Sequence, residues 1–166
     1  MMQRRHDRFF AWDGTVIVGD VTVGEDTNFW PFSCVRGDVA PITIGARVSV
    51  QDFAMIHCRH GVPLEIGDDV VIGHHATVHC KRVGAGALIG IGAVVLDGAE
   101  IGAGALVAAG AIVRPGTIVE PGMMVAGVPA KPIRPITADE QRYQTFVAAN
   151  YLKLARDHIA GRYPAQ

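Results

Sequence analysis

The 166-residue sequence has few aromatic side chains, few cysteines and almost no excess of charge of either sign. Aromatics make up only 7% of a chain that is 49% hydrophobic, so Val, Ile and Ala carry the apolar mass, and 20 Gly accompany them. That balance favours thin, regularly layered packing over a core of large rings. Fifteen basic and sixteen acidic residues give a net charge of −1, which offers no electrostatic basis for binding nucleic acid.

Signals for export and membrane insertion are missing as well. The basic start, Gln3 to His6, lacks the apolar run and cleavage site of a secretory signal, and no stretch is long enough to span a bilayer. Three cysteines, an odd number, do not predict a disulfide framework. We therefore expect a protein of the reducing cytoplasm.

A repeat of six residues fills most of the chain. The repeated position is apolar at all eighteen of its occurrences, which are Ile17, Val23, Phe29, Val35, Ile44, Val50, Ile56, Ile66, Ile72, Val78, Val83, Ile89, Val95, Ile101, Val107, Val113, Val119 and Val125. A period of six is neither helical nor a strand alternation, and it predicts a solenoid in which three hexapeptides form one triangular coil. Eighteen positions give about six coils, stacked roughly 4.8 Å apart.

The solenoid domain is predicted over residues 1–136, and the phase of its repeat breaks in the half of the chain that holds the histidines. Three residues are added within 35–44, four are added within 56–66, and one is missing within 78–83. Because loops carry function more often than regular elements do, we expect the functional site in this irregular half.

A single helix is predicted within residues 137–166, where the repeat has ended. Thr137 and Glu140 form a capping box, so the helix is expected to begin there and to run to about His158. The helix is expected to pack along the prism and cover a face or an edge of the solenoid. Its apolar residues are Tyr143, Phe146, Val147, Tyr151, Leu154 and Ile159.

Three histidines fall at informative phases of the repeat. His57 and His79 each follow the third core position of successive coils, so their backbones are predicted to lie about 4.8 Å apart, a spacing at which two imidazoles can bind one metal ion. His74 belongs to the adjoining face, one coil above Asp52 in the same column. A neighbouring subunit of a three-fold trimer could bring its own His74 to the ion bound by His57 and His79.

The residues alone leave a second interpretation open. A histidine in a repeat is usually a surface or core residue that binds no metal. His60 and His75 are interpreted in this way, as residues around the site or in solvent rather than as ligands.

Longer motifs surround these positions. They are residues 30–38 (WPFSCVRGD), 50–52 (VQD), 56–57 (IH), 72–74 (IGH) and 88–93 (LIGIGA), with His79 five residues after His74. Together with residues 127–134 and the C-terminal helix, they cover nearly the whole chain. In this combination the sequence resembles the γ-class carbonic anhydrase family, and the resemblance implies a mainly β fold, the left-handed parallel β-helix.

The resemblance also implies the chemistry. His57 and His79 of one subunit and His74 of the next would bind Zn²⁺, with Fe²⁺ or Co²⁺ as alternatives, at each interface of a homotrimer. The metal would supply hydroxide for the hydration of CO₂ to bicarbonate. Gln51 matches the glutamine that orients hydroxide or CO₂. Three charged residues match the family at the same interface, where holding the trimer together is favoured over direct chemistry: Arg36, Asp38 and Asp52.

Two departures from the family weaken the expected activity. Asp38 is followed by residues 39–41 (VAP), too short for the acidic loop of the most active members, which also carry a glutamate that transfers protons, and Ser49 stands where Asn is usual. Hydration of CO₂ must export a proton at each turnover, so a missing shuttle limits the rate. His60 or His75 is the candidate replacement, since imidazole titrates near neutral pH.

Three other functions stay open. A CoA-dependent hexapeptide acyltransferase shares residues 127–131 (GVPAK), but typically uses one catalytic histidine without a metal set. A metal-dependent thioester or ester hydrolase would use the same hydroxide on a carbonyl carbon and would differ in the shape of its pocket. A non-catalytic trimeric module would use the metal to hold its interface together.

Overall fold

A left-handed parallel β-helix of about six coils, followed by one α-helix, is the architecture of the chain, as predicted. The computed structural model describes residues 4, 5 and 8–163. The outer ends of the two predicted regions, residue 1 of 1–136 and residue 166 of 137–166, lie outside the described residues, as do Gln3 and His6 of the basic start. No helix in the described part of the chain is long and apolar enough to cross a membrane.

Short strands, most of them two residues long, form the coils. They are β1 Arg4–Arg5, β2 Phe10–Ala11, β3 Val16–Val23, β4 Asn28–Phe29, β5 Cys34–Ile44, β6 Ser49–Val50, β7 Met55–His57, β8 Leu64–Ile66, β9 Val71–Ile72, β10 Thr77–Val78, β11 Arg82–Val83, β12 Leu88–Ile89, β13 Val94–Val95, β14 Glu100–Ile101, β15 Leu106–Val107, β16 Ile112–Val113, β17 Ile118–Val119, β18 Met123–Ala126 and β19 Lys131–Pro135.

Three parallel ladders form the faces of the prism. The first face contains β2, β4, β6, β9, β12, β15 and β18. The second contains the start of β5 with β7, β10, β13 and β16, and the third contains the end of β5 with β8, β11, β14 and β17. The register pairs Ile56 with both Val35 and Val78, so the columns predicted from the repeat are confirmed.

The repeat positions build the core. All eighteen belong to the hydrophobic core, and only Ile17 and Val23, in the first complete coil, stay partly exposed. Small residues precede them inside the corners, where Ala87 and Ala105 are fully buried. Identical spacing therefore stacks like residues in every coil and fills the prism without large rings.

The residues added between Val35 and Ile44 lie in a strand and not in a loop. They extend β5 around a corner of the prism, where it pairs with β3. A Cβ atom on Gly37 would lie 2.4 Å from the carbonyl oxygen of Asp20, so this close approach of two backbones requires glycine. Asp38 follows Gly37 in β5, at the point where the register of the β3–β5 pair shifts.

The capping box of α1, Ala138–Ile159, is confirmed. Thr137 is the N-cap, its hydroxyl accepts the backbone N–H of Glu140, and the Glu140 carboxylate accepts the backbone N–H of Thr137. Asp139 and Glu140, the two acidic residues of the first turn, also interact favourably with the positive end of the helix dipole.

The helix packs along the first face of the prism, but its buried residues are not its large apolar ones. Tyr143 and Phe146 are 60% and 63% exposed, whereas Gln144, Ala148 and Ala155 are buried. The Gln144 amide donates to the carbonyl of Ala105, and the small alanines let the helix approach the first face closely. The apolar surface of α1 therefore lies to the side of the first face, near His74.

Candidate metal centre

Two histidines and two aspartates form a continuous row along the corner after the second face, here called the corner row: Asp38, His57, His79 and Asp97. His57 ends β7 and His79 follows β10, and these strands pair in register. The Nδ1 atom of His57 lies 3.2 Å from the Nε2 atom of His79. The prediction that these two residues are vertical neighbours is confirmed.

An aspartate lies at each end of the corner row. Asp38 Oδ1 is 2.9 Å from His57 Nε2, and Asp97 Oδ1 is 2.5 Å from His79 Nδ1. The hydrogen bond from His57 holds the pKa of Asp38 below its usual value, with a further contribution from the charge of Arg36. Because a carboxylate accepts hydrogen bonds, this arrangement favours a proton on the imidazole nitrogen that faces each aspartate.

The two remaining ring nitrogens fit a divalent metal ion. With their N–H groups turned to the aspartates, His57 Nδ1 and His79 Nε2 direct lone pairs at each other, an arrangement that a cation between them stabilises. Their 3.2 Å separation matches the edge of a tetrahedral zinc site, about 3.3 Å for Zn–N bonds of about 2.05 Å. A carboxylate behind each ligating imidazole is also the usual second layer of such sites.

His74 lies at the adjoining corner, between Asp52 and Tyr151. Its Nδ1 atom is 2.9 Å from Asp52 Oδ2, and its Nε2 atom is 3.1 Å from the Tyr151 hydroxyl oxygen. Burial raises the pKa of Tyr151, as does the charge of Asp52, so the hydroxyl is protonated at neutral pH and donates to Nε2. Nε2 is therefore the nitrogen of His74 that a metal could take in exchange for this hydrogen bond.

A complete set of three imidazoles is not assembled within one chain. Among the described residues, no group of three or more His, Cys, Asp or Glu side chains is placed to hold a metal ion. The three histidines would meet only if a second copy brought His74 to the corner row of the first.

The remaining predicted site residues lie beside these two corners. Gln51 is 4% exposed, and its Oε1 atom accepts the backbone N–H of His74 at 3.1 Å, which leaves its amide nitrogen as an oriented donor. Arg36 pairs with Asp38 of the same chain. The role of Arg36, Asp38 and Asp52 in joining subunits stays a prediction.

Two residues of the site were missed by the sequence analysis. Asp97 lies one coil above His79, but one residue beyond the position that is equivalent to His79 in the repeat. A comparison of equivalent repeat positions alone therefore does not find it. Tyr151 was noted only as an apolar helix residue, because its contact with His74 joins positions 77 residues apart.

The neighbouring cysteines are poor candidates for metal ligands. Cys58 and Cys80 are buried, and their thiols donate to the carbonyl oxygens of Ala40 and Arg82. Burial raises the pKa of the Cys58 thiol, and it raises the pKa of the Cys80 thiol to about 12. Metal binding, by contrast, requires a thiolate.

A cavity opens beside His74, between the first face and α1. Its volume is about 270 Å³, and Gln51, His74, Ile91, Phe146 and Tyr151 are among its lining residues. Ile91 is 57% exposed, so the polar end of the cavity continues into an apolar surface.

Proteins of similar sequence and fold define the class of this chain. Residues 81–122 match the family described as bacterial transferase hexapeptide (six repeats). A Bacillus cereus protein described as a putative acetyltransferase superimposes with a TM-score of 0.90, at 38% identity over 93% of this chain and 90% of its own. The chain is thus a hexapeptide-repeat protein with a left-handed β-helix.

Relatives of similar length narrow the class further. A probable carbonic anhydrase of Methanocaldococcus jannaschii is 47% identical, over 86% of this chain and 89% of its own. An uncharacterized transferase of Bacillus subtilis, YtoA, is 50% identical, over 89% of this chain and 86% of its own. The chain belongs to the γ-class carbonic anhydrase family.

Proposed function

We propose that the protein is a γ-type carbonic anhydrase that hydrates CO₂ to bicarbonate at metal sites shared between the subunits of a homotrimer. Zn²⁺ is the proposed metal, with Fe²⁺ or Co²⁺ as alternatives. The observation that carries the proposal is the corner row, in which two imidazoles held by aspartates face each other at a separation that suits a metal ion.

His57 and His79 of one subunit and His74 of the next would hold the zinc ion, which would supply hydroxide for the hydration of CO₂ at neutral pH, since zinc can lower the pKa of bound water to about 7. The chain's own residues would prepare that chemistry. Asp38, Asp97 and Asp52 would each accept one imidazole N–H and so leave a lone pair on the other ring nitrogen. At that nitrogen, His74 would exchange the Tyr151 hydroxyl for the metal. Gln51, whose oxygen is occupied by the backbone of His74, would present its amide N–H groups to an oxygen atom of CO₂ or bicarbonate.

Stopped-flow CO₂ hydration on protein of known metal content tests this proposal. We expect about one metal ion per subunit, and we expect activity that chelation removes and added metal restores. Protein that holds this metal but hydrates no CO₂ would contradict the proposed reaction.

One observation favours a second candidate function, the hydrolysis of thioesters or esters. The cavity beside His74, about 270 Å³, is far larger than CO₂ requires, and apolar side chains line its outer part. The same hydroxide could attack the carbonyl carbon of an acyl group bound there. Cleavage of an acyl-CoA by metal-loaded protein that does not hydrate CO₂ would favour this candidate.

The cytoplasm is the proposed location of the protein. An odd number of cysteines, which predicts no disulfide framework, supports a reducing compartment.

A further inference from the structure

Asp97 lies behind His79 at the end of the corner row. Its Oδ1 atom is 2.5 Å from Nδ1 of His79, and its backbone carbonyl accepts the N–H of Gly116 from the next coil. The backbone of Asp97 is therefore held in place by the solenoid. The carboxylate therefore reaches His79 from a backbone position that the hydrogen bond between neighbouring coils fixes.

The contacts of Asp97 distinguish it from the other acidic residues nearby. Among the described residues, His79 is the one hydrogen-bond partner of its side chain, whereas Asp38 binds both His57 and Arg36. The Asp97 side chain is 42% exposed, and ion pairs at such positions contribute little to stability. The effect of Asp97 therefore falls on the orientation of His79.

We infer that Asp97 is a positioning residue that holds His79 in the tautomer with a proton on Nδ1 and a lone pair on Nε2. An imidazole without such an acceptor populates both tautomers and turns more freely, so the nitrogen needed by the metal is available for only part of the time. The inference rests on the proposed metal site, because it states what that site requires from a residue outside the ligand set.

The zinc affinity of Asp97→Ala tests the inference. Competition with a chromogenic chelator would measure the affinity of the full-length protein, with the subunit concentration and the assembly state held constant. Loss of a carboxylate behind a ligating imidazole typically weakens metal binding about 10–100-fold, and we expect a loss in that range. Asp97→Asn should lose less, because the amide oxygen can still accept the N–H of His79.

Glu100→Ala is the matched control. Glu100 pairs with Lys81 of the neighbouring coil at 2.8 Å, so this variant removes a carboxylate from the same part of the solenoid without touching a histidine. Its zinc affinity should equal that of the unsubstituted protein. The thermal midpoints of the Asp97 and Glu100 variants should be similar, which would show that the affinity change does not follow from lost folding.

The tautomer of His79 gives a second readout that needs no metal. In metal-free protein, ¹⁵N chemical shifts of the ring should show a proton on Nδ1 in the unsubstituted chain and a mixture of tautomers in Asp97→Ala. Equal zinc affinity or an unchanged tautomer in Asp97→Ala would overturn the inference. Failure of the unsubstituted protein to bind zinc would instead contradict the proposed function on which the inference rests.

Discussion

At the scale of single residues, the corner next to His74 carries exposed rings. His75 stacks on Phe53, with ring centroids 4.9 Å apart, and Phe53 stacks on Phe32 at 5.2 Å. All three residues have positive φ angles, between 58° and 61°, a conformation that costs bulky residues about 1–2 kcal/mol each. His75 is thereby held at the surface immediately after His74, where a proton acceptor would serve the proposed reaction.

Replacement of both His60 and His75 by alanine tests proton export. Both side chains are exposed, so the fold should tolerate the change. If either imidazole carries protons away, CO₂ hydration at low buffer concentration should fall about tenfold or more, and added imidazole should restore it. The two single variants show which residue acts. A rate at low buffer that the double substitution leaves unchanged would remove both residues from this role.

Whether a site residue could be predicted from the sequence depended on what determines its position in the fold. The repeat dictates the backbone register, so the meeting of His57 with His79 followed from the phase of the repeat alone. Asp97 and Tyr151 reach their histidines through side-chain direction and through the packing of a helix distant in sequence. The six-residue period of the repeat determines neither side-chain direction nor the packing of the helix.

At the scale of elements, the long strands and the helix depart most from what the pattern predicts. The six-residue repeat predicted the position of every coil, because the buried aliphatic residues determine how the chain winds around the core. It did not reveal that added residues would continue β5 around a corner, because that depends on the close contact between Gly37 and Asp20. The capping box located the start of α1, but its buried residues were decided by how closely the helix could approach the first face.

Glu140 should make the stability of α1 depend on pH. Its hydrogen bonds from Arg134 and from the backbone of Thr137 lower its pKa from 4.5 to about 2. Since the folded-state pKa lies below the unfolded one, this stabilisation is complete above about pH 4.5 and is lost as the pH falls towards 2. Thermal unfolding followed by circular dichroism should show a lower midpoint for Glu140→Gln at pH 6, with the difference vanishing near pH 2.

Asp139→Asn is the control for this effect. It also removes a carboxylate from the first turn of the helix, but leaves the capping box intact. Its difference from the unsubstituted protein should be smaller at pH 6. A gap between Glu140→Gln and the unsubstituted protein that persists unchanged to pH 2 would contradict the assigned role of Glu140.

At the scale of the whole molecule, one chain presents two incomplete halves of a proposed site. The corner row offers two nitrogens, and His74 offers a third at a different corner. In a closed three-fold ring of identical subunits, the corner row of each subunit would meet the His74 corner of the next. The same contact would therefore occur three times. In the single chain, each of the three histidines is already held by its own aspartate.

Subunit complementation tests this central claim most directly. His74→Ala chains keep the corner row, and chains with both His57→Ala and His79→Ala keep His74. Neither protein alone should bind zinc tightly or hydrate CO₂. Co-refolded at equal amounts, random trimers should regain about a quarter of the zinc sites and of the activity, because that fraction of interfaces pairs an intact corner row with an intact His74. Full zinc binding and activity by the His74→Ala protein alone, or no recovery in the mixture, would contradict a site shared between subunits.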